Sequence, residues 1–527
     1  LAFRHHFNKN IINFYKRNIM KQHIYKLGFT VVLVFISIVS CNKKLDVTDQ
    51  NNPTTESYFK TASELQNGVN AIYSSLRSGE LVGREWFFTH DMRGGECASG
   101  GAQLEAPRAE LLKQPSPAPS NAVMSNVWSG AYQMINRANL VVSKGPGVTD
   151  NTSLRDRLVG EAKFLRAWAY FELVSQWGDV PLYTETVTSA TGFKGKSPAA
   201  DIYTFIISDL TDAVAKLPAS YGSSDNGRAT KGAANSLLGK VLMQKGDYAG
   251  AKTALLQVYG KYSLVDNFQW NFDGDVKDDN GTTVTTGHEF NTESIFEVVF
   301  VDRGDNNFNW GYNGEGSTSP LSTVRNQEYG ITWGNVIPSD RLLNEFEAND
   351  PRYKFTIFEE GDQILTQSPA GPKTLVAADM NIATSTKNNV VLKRFFRKYN
   401  IYDWVNSGFH PGGINQRVIR YADVLLMLAE CEAEVGTPVQ AASYINEVRK
   451  RPSVNMPLVA PATKNDALKA VMHERAVELG AEELSSIDIL RWRKKGYFPS
   501  LKADPVPGQV DLFPIPASET STNPALK

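Results

Sequence analysis

GEAKFLRAWAYFELVSQWGDVPL, residues 160–182, decides the reading of the chain. Phe164, Trp168, Phe171 and Val174, with Leu165 and Leu173 on the neighbouring stripe, recur at three- and four-residue spacing. That period predicts a helix with one broad apolar face, with Glu161, Lys163 and Arg166 on the other side. Ser153, three residues before Asp156, reads as a capping box at its start. Gly178 and Pro181 end it, because Gly takes the left-handed cap and Pro cannot continue the hydrogen-bond ladder. No nucleophile stands beside a base here, so the stretch reads as a core helix and not a catalytic one.

Outward from this helix the same period returns. Ala62–Arg77 carries Leu65, Val69, Ile72, Tyr73 and Leu76 on one face, and 126–144 carries Trp128, Tyr132, Ile135, Leu140 and Val141. Residues 201–217 follow the same rule. LLGKVLMQKGDYAGAKTALLQVY, residues 237–259, reads as two helices joined at Lys245-Gly246-Asp247, with Gly239 and Ala251 small enough for close approach. Residues 419–451 repeat that logic, with Gly436 ending one helix, Thr437 capping the next and Pro438 in its first turn. The fold class expected is mainly α, a tetratricopeptide-like scaffold of helical pairs (an α-solenoid) carrying a loop-rich lobe with short strands. That lobe is 262–413, rich in Gly, Asn, Asp, Thr and aromatics, with strands expected at 294–301 and 389–393. Leu81–Ser120, with its GGECASGG and KQPSPAPS runs, reads as a long loop.

FLRAWAYFELVSQWGDVPL resembles the signature of the SusD/RagB family, surface lipoproteins of Bacteroidetes-type bacteria. So do YFKTASELQNGVNAIYSSL (58–76), WSGAYQMINRANLVV (128–142), ERAVELGAEELSSIDILRW (474–492) and FPIPASETSTNP (513–524). The family usually has Gly and Arg where this chain has Glu483 and Ser485, which puts a local salt bridge in question. The resemblance implies a protein that binds a nutrient, most often an oligosaccharide, and hands it to a SusC-like TonB-dependent transporter without bond chemistry. A secreted glycosidase or peptidase, a peptide-binding capture protein and an adhesive surface protein are the alternatives.

The N-terminal segment fits that setting. Lys21 and Lys26 precede the apolar run LGFTVVLVFISIV (27–39), which has signal-peptide length and is short for a membrane span. Ile38-Val39-Ser40-Cys41 resembles a lipobox, so Cys41 is the expected lipidation site, with Met20 as start, residues 1–40 removed and 41–57 as tether. The expected divisions are then a helical region at 58–261, the ligand-binding lobe at 262–413 and a C-terminal helical region at 414–527. Loss of residues 1–40 takes six basic and no acidic residues, lowering Lys+Arg from 55 to 49 against 56 Asp+Glu. A chain near −7 is a poor partner for nucleic acid. Of the remaining cysteines, Cys431 falls in a helical apolar pattern and a Cys97–Cys431 bridge is not expected.

Motifs of chemistry are few. His473-Glu474-Arg475 lacks the second histidine of a zincin helix, and no histidine has metal-like spacing, so neither metal nor cofactor is expected. DGDVKDDN (273–280) fails the calcium-loop pattern at Lys277 and Asp278. Arg303-Gly304-Asp305 is treated as a chance tripeptide. What remains is aromatics among polar loop residues: Trp86 with Asp91, Asn309, Trp310 and Tyr312 in NFNWGYNGEG, and Trp333 in YGITWGN. A flat ring covers the apolar face of a sugar while Asn and Asp pair with its hydroxyls, so these six are the expected ligand contacts.

Overall fold

The computed structural model describes residues 16–21, 58–189, 191–277, 283–301, 322–331, 333–366, 372–400, 402–403 and 412–527. Residues 1–59 form one unit and Lys60–Lys527 another. In the first, residues 16–21 are helical and exposed; the signal-peptide, lipobox and tether expectations, with Cys41, otherwise lie outside the described residues.

The central helix runs Thr152–Trp177. Its cap is Asn151, whose side chain accepts from the Leu154 amide at 3.0 Å, and not Ser153. Gly178 closes it at φ +73°. The helix is buried on every side over its second half, which corrects the expected solvent face. Helices Ala122–Lys144 and Ala199–Lys216 pack on it from both flanks. Its buried charges therefore find partners on neighbouring elements. Arg166 grips Asp209 with two bonds of 2.7 and 2.8 Å and donates to Asn139 Oδ1 at 2.6 Å. Glu161 accepts from Tyr73 and Arg228 at 2.9 and 3.0 Å. A helix sandwiched between helices has no dry side and wet side, so periodicity alone misplaces its charges.

The helical pairs form as the small residues require. Helix Lys231–Lys245 ends at Gly246 (φ +95°), and Asp247 caps Tyr248–Leu256 through the Gly250 amide at 2.9 Å. At Gly239 a Cβ would stand 2.5 Å from Leu255 Cγ, so only glycine lets the two helices meet. Helix Tyr421–Val435 packs on Tyr248–Leu256, on Pro438–Arg449 and on Lys464–Leu479, stacking the pairs. Thr437 caps the second pair through Gln440 N at 3.2 Å.

Short sheets sit among the loops. Ser294–Val298 pairs antiparallel with Gln416–Arg420, with register shifts, and Val390–Phe396 lies between Ile357–Glu359 and Thr384–Lys387. Residues 81–120 are not one long loop. They contain helix Glu85–Asp91, strand Cys97–Ser99 and helix Ala106–Lys113, and the strand pairs with Val336–Pro338. Trp86, Phe87 and Phe88 hid this helix, because a run buried on every side shows no helical period. Cys97 and Cys431 are both free and buried. No helix among the described residues is long and apolar enough to cross a membrane.

Candidate functional site

The structure brings three of the six expected contact residues into one region, and two of them lie inside the protein. Trp86 is 3 % exposed, tilted on Trp168 at 6.0 Å between ring centroids and edge-on to His90 at 5.3 Å. His90 in turn lies between Ser486 Oγ (2.8 Å) and Glu172 Oε2 (2.7 Å). Asp91, on the same short helix, is fully buried. It accepts from the Tyr329 hydroxyl at 2.6 Å and lies 3.5 Å from an Arg325 nitrogen. Both residues are therefore interior, and neither offers a surface to a solvated ligand as expected from a loop.

Asp91 instead seats a distant segment. Arg325 also binds Glu483, and its second nitrogen donates to Ala481 O at 2.7 Å. The rings of Tyr329 and Tyr399 flank the guanidinium at 4.6 and 4.7 Å. Helix Arg325–Tyr329 is thus bolted to the scaffold, and Arg84 holds Glu328 beside it at 2.6 Å. Four residues beyond the helix, Trp333 is half-buried and its amide donates to Gln327 O at 3.2 Å. Asn309, Trp310 and Tyr312 lie outside the described residues, in the stretch that runs into this helix.

Burial raises the carboxyls of Asp91 and Glu483, and Arg325 pulls against that rise. Glu483 holds φ +59°, a conformation natural to glycine, the residue usual here in the family it resembles. This chain accepts that strain and places the Glu483 carboxyl against the distant Arg325.

Sequence reading missed a second feature. A groove of about 470 Å³ lies between residues 219–230 with 260–263 on one side and 290–297 on the other. Tyr221, Tyr262 and Phe290 supply rings, and Asp225, Asn226 and Arg228 supply polar groups. A neighbouring hollow of about 270 Å³ shares Asp225–Arg228 and Glu297 and continues towards Asn70 and Tyr73. The one signal in the sequence is a cluster of turn formers, GSSDNG at 222–227, with aromatics at a distance in the chain.

The other motifs resolve as helix chemistry. His473 bonds Glu345 and Glu347 at 2.9 and 3.0 Å, and Glu474 pairs with Arg352 and Arg449. Among the described residues no group of His, Cys, Asp and Glu could hold a metal ion. Asp273 of the calcium-like run binds the His288 ring at 2.7 Å, while 278–280 of that run and the 303–305 tripeptide lie outside the described residues.

Two family models match the chain: "SusD family" over residues 292–504, and "Starch-binding associating with outer membrane", a SusD-like model, over 39–243. SusD-like protein P2 of Formosa agariphila is 25% identical over 481 residues, covering 89% of this chain and 90% of that protein. A SusD superfamily protein of Bacteroides vulgatus shares the fold with TM-score 0.72 and 23% identity, over 89% of this chain and 99% of its own. A laminarin-binding SusD-like protein matches with TM-score 0.68 and 25% identity, over 88% of this chain and 98% of its own.

Proposed function

The chain belongs to the SusD family, and from that premise we propose that it captures an oligosaccharide at the outer membrane and passes it to a SusC-like TonB-dependent transporter. Members of this family bind without catalysis, and this chain is a binding protein and not an enzyme. The observation that carries the reading is the match, over nearly nine tenths of the chain, to a laminarin-binding relative. The mechanism is equilibrium capture and release. Cys41 is the lipid anchor, and helical faces of the scaffold meet the transporter.

The ligand side is the lobe of residues 262–413, with Asn309, Trp310, Tyr312 and Trp333 as the contacts. Trp86 and Asp91 are not among them. The seating of helix Arg325–Tyr329 by Asp91 and Glu483 supports this, because a capture site needs its rings held by a rigid base. Calorimetric titration with neutral oligosaccharides tests it. Saturable heat with one glycan is expected, weakened about fivefold or more in Trp310→Ala or Trp333→Ala, since a lost stacking contact costs about 1 kcal/mol or more. Binding of no glycan, or release of reducing ends during the titration, would sink the reading.

A further inference from the structure

Phe290 is held in a conformation that bulky residues avoid. Its φ is +54°, in the left-handed region, and its side chain lines the groove. The scaffold imposes this. The Phe290 amide donates to Glu297 Oε1 at 3.1 Å, and Glu297, 2 % exposed, is fixed by Asn415 Nδ2 at 2.9 Å and by Arg417 at 3.3 Å. Beside the Phe290 ring Gly227 sits at φ +87°, where a Cβ would stand 2.6 Å from Val299 Cγ2 and 3.8 Å from Phe290 Cε1. Gly227 adopts that conformation freely, so the strain is at Phe290, and a strained position lining a cavity is what ligand sites hold.

The walls are rigid as well. Arg228 is tied to Asp225 at 2.8 Å, Asn70 at 2.9 Å and Glu161 at 3.0 Å. The Tyr221 hydroxyl donates to Ala229 O at 3.0 Å, and the Tyr262 and Thr230 hydroxyls lie 3.3 Å apart. The charges cancel: Asp225 and Glu297 face Arg228 and Lys261. A neutral balance disfavours ions, and 470 Å³ suits two or three sugar rings better than an extended protein segment. Rings with apolar faces beside amide and hydroxyl groups suit a polyhydroxylated ligand.

We propose that this groove is a second saccharide-binding site, lined by residues other than the contacts named above, taking a short neutral segment of a glycan against Phe290, Tyr262 and Tyr221. Its ligand class rests on the glycan-binding reading; its location does not.

The test is amide hydrogen exchange on the full chain with laminarihexaose, maltohexaose, cellohexaose and mannohexaose as probes, run beside calorimetry. Exchange across 219–230 and 290–297 should slow at least fivefold with one of them. Phe290→Asn removes the ring, and Asn adopts the left-handed region readily. It should abolish this protection while the unfolding midpoint stays level or rises. Asn226→Arg, at an exposed position, should block the groove without removing packed atoms. Protection confined to other segments, with affinity intact in both variants, would overturn the second site and leave the proposed function standing. No protection and no heat with any probe would overturn both.

Discussion

Two buried charge clusters differ in how many guanidiniums reach each carboxyl. Beneath the C-terminal helices three guanidiniums converge on Glu478. Arg420 and Arg451 each reach Oε1 at 2.8 Å, and Arg352 reaches Oε2 at 3.2 Å. Glu293 joins them, bound by Arg420 at 2.7 Å and Arg451 at 2.6 Å. Beneath the lobe a single guanidinium, Arg325, serves both Asp91 and Glu483. Burial raises every one of these carboxyls. In the first cluster the arginines outweigh it, and Glu478 and Glu293 end below the usual carboxylate range. In the second the single arginine does not, and Asp91 and Glu483 end above it. Burial is the same in both, so the number of guanidiniums reaching each carboxyl sets the sign.

The largest effect should come from breaking the first cluster. Glu478→Gln leaves three buried guanidiniums short of a partner and should lower the unfolding free energy by about 3–5 kcal/mol at pH 7 in denaturant titrations. The folded pKa lies below the unfolded one, so this stabilisation is complete above the ordinary carboxylate value of 4.5 and fades as pH falls. The gap between wild type and variant should therefore narrow in acid. A gap that widens there would undo the comparison.

Glu96, beside the second cluster, should give the opposite sign. Burial pushes its carboxyl up to about 7, against Arg341 and with the nearby Asp91 adding to the rise. The folded state then prefers the protonated form, and the wild type loses stability as pH climbs from 4.5 to about 7. Glu96→Gln keeps an acceptor for the Ala481 amide, now at 3.0 Å. It should gain roughly 1–3 kcal/mol at pH 8 and nothing at pH 4. Equal effects at both values would mean that the proton is not held there.

The smallest effect marks the limit of the comparison. Lys354 is half exposed, at 2.6 Å from Glu359 and 2.8 Å from Asp362. Water screens this cluster, so Lys354→Ala should cost no more than about 0.5 kcal/mol, with less in high salt. A cost near that of Glu478→Gln would show that pairing, not burial, carries the energy.

Much of the fold was legible because its signals are local. Gly178, Gly246 with Asp247, and Gly436-Thr437-Pro438 each state a helix end within a few residues. Gly239 and Ala251 announced a close pair. The errors share a cause. Ser153 lost the cap to Asn151, a shift of two residues among several good caps. Residues 81–120 read as loop because a segment buried on all sides has no period to read. Trp86 and Asp91 looked like ligand contacts because composition cannot distinguish a polar surface loop from a buried polar network. The groove was invisible because Tyr221, Tyr262 and Phe290 come from three separate segments, and each alone reads as an anchor.

By itself the sequence determined where most of the long scaffold helices lie, which of them pair and which family the chain resembles, since propensity, capping and small-residue spacing act over one or two turns. Tertiary structure alone decided which charges are buried and with whom. Arg325 meets Asp91 across more than two hundred residues, and Arg166 finds Asp209 on the next helix. It decided too that Phe290 is strained over a cavity. Burial and electrostatic pairing depend on what stands opposite in space, and that is set only when the whole chain has packed.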